Sequence, residues 1–165
     1  MIIMGSVITF GDGAEQRAAV WTWPTRSVPW TLQQLPDAGT HSEALSTRCA
    51  QTTCWVSGHA DGKAALWSFD PAQVTSTVRR DASLPALEID TDGPGPKTVI
   101  IAAQQPAVIF SRSGKTRLLV HDSHNGWQAF AAPDGSVLDA ATVDNRLYAI
   151  IKINDTVGLW VTRPR

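Results

Sequence analysis

This chain has almost no charge asymmetry, a single tyrosine, only two cysteines and no long apolar run, and each shortage removes a class of function. Fourteen Lys and Arg stand against fifteen Asp and Glu, a formal net charge of −1. Such a surface offers no electrostatic footprint to a phosphate backbone or an anionic bilayer, so nucleic acid is not expected as a partner. The longest apolar stretches, Val99 to Ala103 and Ala149 to Ile153, fall far short of the roughly 20 residues that cross a bilayer, and membrane insertion is not expected. The opening Met1 to Val7 lacks both a basic leader and a long apolar core; it reads as a strand, and no signal peptide is expected.

The two cysteines, Cys49 and Cys54, flank Ala50-Gln51-Thr52-Thr53, which has the composition of a hairpin tip. Residues so placed face each other across two paired strands, the geometry of a cross-strand disulfide. Closing so short a loop adds little stability, because the entropic gain grows with loop length. Two buried free thiols, or a metal shared with His41 or His59, are the alternatives; four well-spaced ligands are not visible, so no metal site is assigned. A bridge would favour an oxidising, extracytoplasmic compartment, which is otherwise unknown.

Helical periodicity is absent. Apolar residues fall in short runs rich in Val, Ile, Thr and Trp, separated by Gly, Pro, Asn and Asp, which is an all-β pattern. One phrase recurs: Ala18-Ala19-Val20-Trp21 returns as Ala64-Ala65-Leu66-Trp67 and is echoed by Arg117-Leu118-Leu119-Val120 and Val157-Gly158-Leu159-Trp160. Each copy ends a strand pair: Ser6 to Phe10 with Ala18 to Trp23, Cys54 to Gly58 with Ala64 to Phe69, Ala107 to Ser111 with Arg117 to His121, and Leu147 to Ile153 with Val157 to Thr162. Between the paired strands lie Gly11-Asp12-Gly13, Ala60-Asp61-Gly62, Ser113-Gly114-Lys115 and Asn154-Asp155, residues that tolerate the positive φ of tight turns.

The copies are spaced by roughly 40 to 53 residues, the range of four-stranded propeller blades. Glu43 to Ala50, Thr98 to Ala103 and Leu138 to Val143 read as first strands of a blade, and Trp30 to Leu35, Thr75 to Arg80 and Trp127 to Ala131 as fourth strands. The expected fold is therefore all-β, a β-propeller-like array of about three to four antiparallel blades forming a partial propeller. It is a single domain over 1–165, with units of approximately 1–40, 41–84, 97–135 and 136–165. The first unit begins one strand late and the last stops one strand short. Pro85 to Lys97, rich in Asp, Gly and Pro, is the longest connection and reads as a solvated connector.

Strand ends of the Ala-Val-Trp-Thr type, followed by a polar turn and another Trp, resemble the Asp-box repeats of sialidase-like β-propellers, in which Ser-x-Asp-x-Gly-x-x-Trp forms a blade hairpin. Ser68-Phe69-Asp70 keeps the Ser-x-Asp start without the Gly and Trp. Asp122-Ser123-His124-Asn125-Gly126-Trp127 keeps Asp, Gly and Trp in altered spacing, and in the first unit Trp30 survives, with Thr25 and Ser27 where Asp and Gly would stand. The resemblance implies blades stapled by these motifs and no catalysis through them. The family's arginine cluster, Tyr nucleophile with a Glu partner and acid/base Asp are not carried over, since Tyr148 stands mid-strand in a core-packing pattern.

The densest polar cluster, His121 to Gly126, holds every residue type of a Ser/His/Asp hydrolase. Triads assemble from distant segments, however, and turn chemistry accounts for these neighbours. Ser111 to Thr116 contains Ser-Gly-Lys-Thr but lacks the earlier Gly of a phosphate loop, and a strand should follow it. The recurring turn carboxylates Asp12, Asp61 and Asp155 offer one ligand each, too few for calcium. Of seven Trp, Trp21, Trp67 and Trp160 share one register position and read as packing between blades, whereas Trp23, Trp30, Trp55 and Trp127 fall outside that layer. Those four, with His121, Asp122 and His124, are the candidate ligand-binding residues, because aromatics at strand ends stack on sugars or anchor protein partners.

The expected function is a non-enzymatic binding module whose partner is a protein or a carbohydrate, with no catalytic residue and no cofactor. Self-association, or completion by the remainder of a larger propeller, follows from blade faces without neighbours. The competing expectation is a degenerate glycoside hydrolase using two of Glu88, Asp90, Asp92 and Asp139, which would have to oppose each other across roughly 5 to 10 Å.

Overall fold

A computed structural model describes residues 1–11, 13–23, 29–73, 77–101 and 104–162. Strands β1 (Ile2–Phe10), β2 (Ala14–Thr22) and β3 (Thr31–Gln34) form the first sheet. The second contains β4 (Ser42–Ala50), β5 (Thr53–Ala60), β6 (Lys63–Phe69) and β7 (Arg79–Arg80). The third contains β8 (Lys97–Ile100), β9 (Pro106–Arg112), β10 (Lys115–Asp122) and β11 (Gly126–Phe130), and the fourth β12 (Ser136–Val143), β13 (Arg146–Ile153) and β14 (Thr156–Val161). Every sheet is an antiparallel meander in chain order, with no helix among the described residues.

Turn chemistry sets the hairpins. Asp61 and Gly62 take positive φ, 48° and 77°, as do Ser113 and Gly114, 50° and 69°. This places two-residue turns whose twist matches the strands they join. The first hairpin is longer than its sequence suggested, pairing Ile2 through Phe10 with Thr22 through Ala14. Asp12 at its tip, like Thr25 and Ser27, lies outside the described residues. The fourth strand expected over Thr75 to Arg80 is only Arg79–Arg80 among the described residues. Cys49 and Cys54 are directly opposite one another in the β4–β5 register and form a disulfide, which uses both thiols.

The sheets stack in chain order. β4 lies against β1 and β2, β8 against β4 and β5, and β12 against β8 and β9. Strand alternation gives each sheet a rear face toward the preceding sheet and a forward face toward the next. Three cores fill the gaps. Ala18 and Val20 pack against Val56, Ala65, Trp67 and Phe69 between the first and second sheets. Ala64 and Leu66 meet Val108, Phe110 and Leu119 between the second and third. Val99, Ala107, Ile109 and Leu118 meet Val137, Ala140, Leu147, Ala149 and Ile151 between the third and fourth.

The recurring phrase therefore marks a register, with one correction. Counted from the hairpin turns, Trp67, Leu119 and Trp160 each stand fifth in their strands, so Leu119 and not Val120 holds the Trp67 position in the third sheet. A one-residue slip reverses the face of every side chain. Val120 accordingly packs toward the fourth sheet while Leu119 packs toward the second. The expected tryptophan layer is also incomplete: Trp67 is fully buried and Trp160 packs onto the third-to-fourth core, but Trp21 faces away from the second sheet.

Buried hydroxyls tie the sheets together where one sheet's backbone meets the next. Ser42 Oγ accepts from Ala18 N at 2.9 Å, Ser46 Oγ from Thr98 N at 3.1 Å and Ser111 Oγ from Val137 N at 2.9 Å. Ser57 Oγ donates to Pro96 O at 3.1 Å and Thr116 Oγ1 to Gly135 O at 2.9 Å. A backbone group turned away from its own ladder would otherwise be buried unpaired, at a cost of about 1–3 kcal/mol. Gly58 supplies another form of closeness: a Cβ there would lie 1.8 Å from Glu43 O.

Candidate functional site

The expected site residues fall in two separate places. Trp23 and Trp30, which follow β2 and precede β3, stack with ring centroids 5.7 Å apart and planes 24° apart. Each ring thus covers one face of the other, and Trp30 is exposed. At the outer end of the third sheet, His121 and Trp127 are cross-strand partners of β10 and β11, meeting edge to face at 5.2 Å. Trp127 donates Nε1–H to Asp81 Oδ2 at 3.1 Å, linking β11 to the second sheet, and its ring packs against the second-to-third core. Trp55 packs against that same core from β5. Trp55 and Trp127 are thus partly buried side chains of the stack, while Trp30 and His124 stand clear of it.

Asp122 is a turn residue. Its Oδ1 accepts from His124 N at 2.8 Å and Asn125 N at 2.9 Å, and those two bonds hold its carboxyl below the usual range. Gly126, at φ 70°, then closes the turn into β11. Among the described residues the His124 ring meets its neighbour Ser123, at 3.1 Å, and the Asp122 carboxylate at 3.9 Å. His121 Nδ1 meets Gln105 Oε1 at 3.1 Å. Nothing in this cluster aligns a nucleophile, a base and an orienting group. Asp61 has the matching role in the second sheet, where Oδ1 accepts from His41 N and Thr40 N; the His41 bond is the main cause of its lowered pKa.

The four carboxylates of the hydrolase expectation are spread differently. Glu88 pairs with Arg112 at 3.3 Å on the exposed surface. Asp139 accepts from Ala140 N at 2.8 Å on the forward face of the fourth sheet. Asp90 and Asp92 border one cleft of about 500 Å³ with Phe110, Ser111 and Ser136. Both Asp90 oxygens are engaged there by the β9–β10 turn, Oδ1 accepting from Ser113 N at 2.8 Å and Oδ2 from Gly114 N at 3.3 Å. Among the described residues no three His, Cys, Asp or Glu side chains gather as a metal site.

Two apolar surfaces stand out; the first was not foreseen in the sequence, whereas the second matches the expectation of blade faces without neighbours. One is a cleft of about 540 Å³ between the third and fourth sheets, walled by Leu118, Val120, Phe130, Leu147 and Trp160. It opens where the fourth sheet has no counterpart of β7 or β11 among the described residues. The other is the pair of end faces of the stack. The forward face of the fourth sheet carries Tyr148, Ile150, Val157, Leu159 and Val161 in paired rows, and the rear face of the first carries the row Ile3–Trp21–Leu32. The signal was present in β1 and β14, whose apolar residues occupy both parities, as in strands covered on both sides. No family model matches the chain, and no curated protein does.

Proposed function

We propose that this chain is a non-enzymatic interaction module of the β-propeller type, working in an oxidising compartment, whose partner is a protein that covers an apolar end face of the sheet stack. The observation that carries this reading is the exposure of Ile150, Val157 and Leu159 on one continuous forward face. A monomer's contiguous apolar patches of this kind mark sites of association. The polar candidates support it from the other side, since Asp61, Asp90 and Asp122 each spend their carboxylates on backbone N–H groups of turns. Successive antiparallel meanders stacked face to face, each packing its first strand (β4, β8, β12) on the sheet before it, favour the propeller description, and the Cys49–Cys54 bridge favours the compartment.

A photoreactive phenylalanine analogue placed at Leu159, and as a control at His124, tests this in the cells that make the protein. Irradiation is expected to give a protein adduct from position 159 and none from 124. A blank at 159 together with a glycan-array signal lost on Trp30→Ala would replace the protein partner by a sugar. Hydrolysis of aryl glycosides that disappears in Asp92→Asn would overturn the non-enzymatic reading.

A further inference from the structure

We infer that the partner of the end faces is a second copy of this chain: the forward face of the fourth sheet seats on the rear face of the second copy's first sheet, and the reciprocal contact closes a two-copy ring of eight sheets. This rests on the interaction-module reading and narrows its partner. The three internal interfaces are built to one rule. A forward-facing aliphatic residue, fourth in its hairpin strand, meets the rear-facing fifth residue of the next sheet and that residue's cross-strand neighbour. Leu66 shares a core with Leu119 and Val108, and Leu118 joins Ala149 in the core against which Trp160 packs. Val20, seventh in the longer strand β2 but aligned with Leu66 through the repeated phrase, likewise shares a core with Trp67 and its cross-strand neighbour Val56.

The two halves of a fourth such interface stand open at opposite ends of the stack. Leu159 holds in β14 the place that Leu66 holds in β6, yet Leu66 is fully buried and Leu159 is 66 % exposed. Trp21, opposite Ile3, matches Trp67 opposite Val56; Val56 is fully buried and Ile3 is 48 % exposed. The Trp21 ring edge reaches over Gly5, where an added Cβ would already be in contact with it at 3.6 Å. Charges of both signs flank the two faces, Asp139 and Lys152 on one and the paired Glu15 and Arg17 on the other, so neither repels its counterpart.

The inferred contact thus continues the interfaces already inside the chain, with Leu159 of one copy on Trp21 and Ile3 of the other. The contact joins different patches, so it must close into a ring or run on as a filament. Propellers close with about four to eight blades. Among the described residues the first and fourth sheets leave their end faces open, and two copies of these four sheets supply eight, within that range; three would exceed it.

Light scattering on the purified full chain reads the assembly, and cross-linking reads its geometry. A species of twice the 17.8 kDa chain is expected, and Leu159→Arg is expected to return it to the single-chain mass with an unchanged β-sheet circular dichroism spectrum. All cysteines of the described chain are bridged, so Leu159→Cys and Ile3→Cys each introduce one free thiol on an exposed site. With a short bismaleimide, the two variants mixed are expected to give a covalent pair that neither gives alone. A single-chain mass at micromolar concentration, a filament, or a covalent pair from either variant alone would overturn the inference. A foreign protein adduct at position 159 with a monomeric chain would do so as well, while leaving the interaction-module reading standing.

Discussion

Trp67 donates its indole N–H to the carbonyl oxygen of Pro36 at 2.8 Å, so the largest fully buried side chain of the second sheet is hydrogen-bonded to the segment that leaves the first. Arg80 lies over a face of the same ring, its guanidinium carbon 5.7 Å from the ring centroid. The ring therefore fills the first core, satisfies a linker carbonyl and supports the short strand β7. Trp67→Ala is expected to destabilise the chain by about 3–5 kcal/mol, the range for a deleted core aromatic. Trp67→Phe keeps most of the apolar area but leaves the Pro36 carbonyl without this donor and should cost less, about 1–3 kcal/mol. Denaturant titration of both variants checks the order.

The hydroxyl of Ser111 accepts from Val137 N at the start of the fourth sheet, and Ser111 is buried. Ser111→Ala removes that acceptor from a buried donor, which costs about 1–3 kcal/mol. The loss should be local. Hydrogen exchange is expected to speed up in β12 and β13 well before it does in β4 to β6.

Gly58 in β5 lies so close to the backbone of β4 that a Cβ would collide with Glu43 O and lie 3.0 Å from Ala44 Cα. The bulge between Ala44 and Ser46 sits beside it, and backbone has no flexible end to move aside. Gly58→Ala is expected to cost about 2 kcal/mol or more through overpacking. An unchanged melting temperature would show that β4 can shift without loss.

Thr98 offers the opposite case. Its side-chain Oγ1 is buried without a partner among the described residues, while its backbone N–H is held by Ser46. Thr98→Val keeps the shape and removes the unpaired hydroxyl, so stability should rise by about 1 kcal/mol. The measurement is the shift in denaturant midpoint at constant slope.

The Asp61 carboxyl has a folded pKa below its ordinary value, chiefly through the His41 N–H bond. A group of this kind contributes stability that is fully present above its unfolded pKa of about 3.9 and is lost as pH falls through the lower folded value. The wild type should therefore exceed Asp61→Asn in stability at pH 6, with the gap closing below about pH 4. A gap that is constant with pH would place the contribution in geometry and not in charge.

Strand identity was legible where the signal is local. The hairpins at Asp61-Gly62 and Ser113-Gly114 follow from residues that accept positive φ, and the Cys49–Cys54 bridge follows from four intervening residues that form a hairpin end. Facing was less legible. Leu119 and Val120 are both apolar, and only the partners they meet, Leu66 of the second sheet behind and the fourth-sheet core ahead, decide which of them holds the repeat position. The candidate site suffered in the same way: Trp55 and Trp127 looked like free aromatics because the core they touch comes from segments distant in the chain.

Alternation and turn chemistry act over a few residues, so the meander, four sets of strands with their turns, was already written in the amino-acid order. Which side of each strand is inside emerged only on stacking. Trp21 and Trp67 are interchangeable in the repeated phrase, yet one fills a core and the other lies on an end face. The difference is the presence of a preceding sheet, which is a property of the stack and of no single strand.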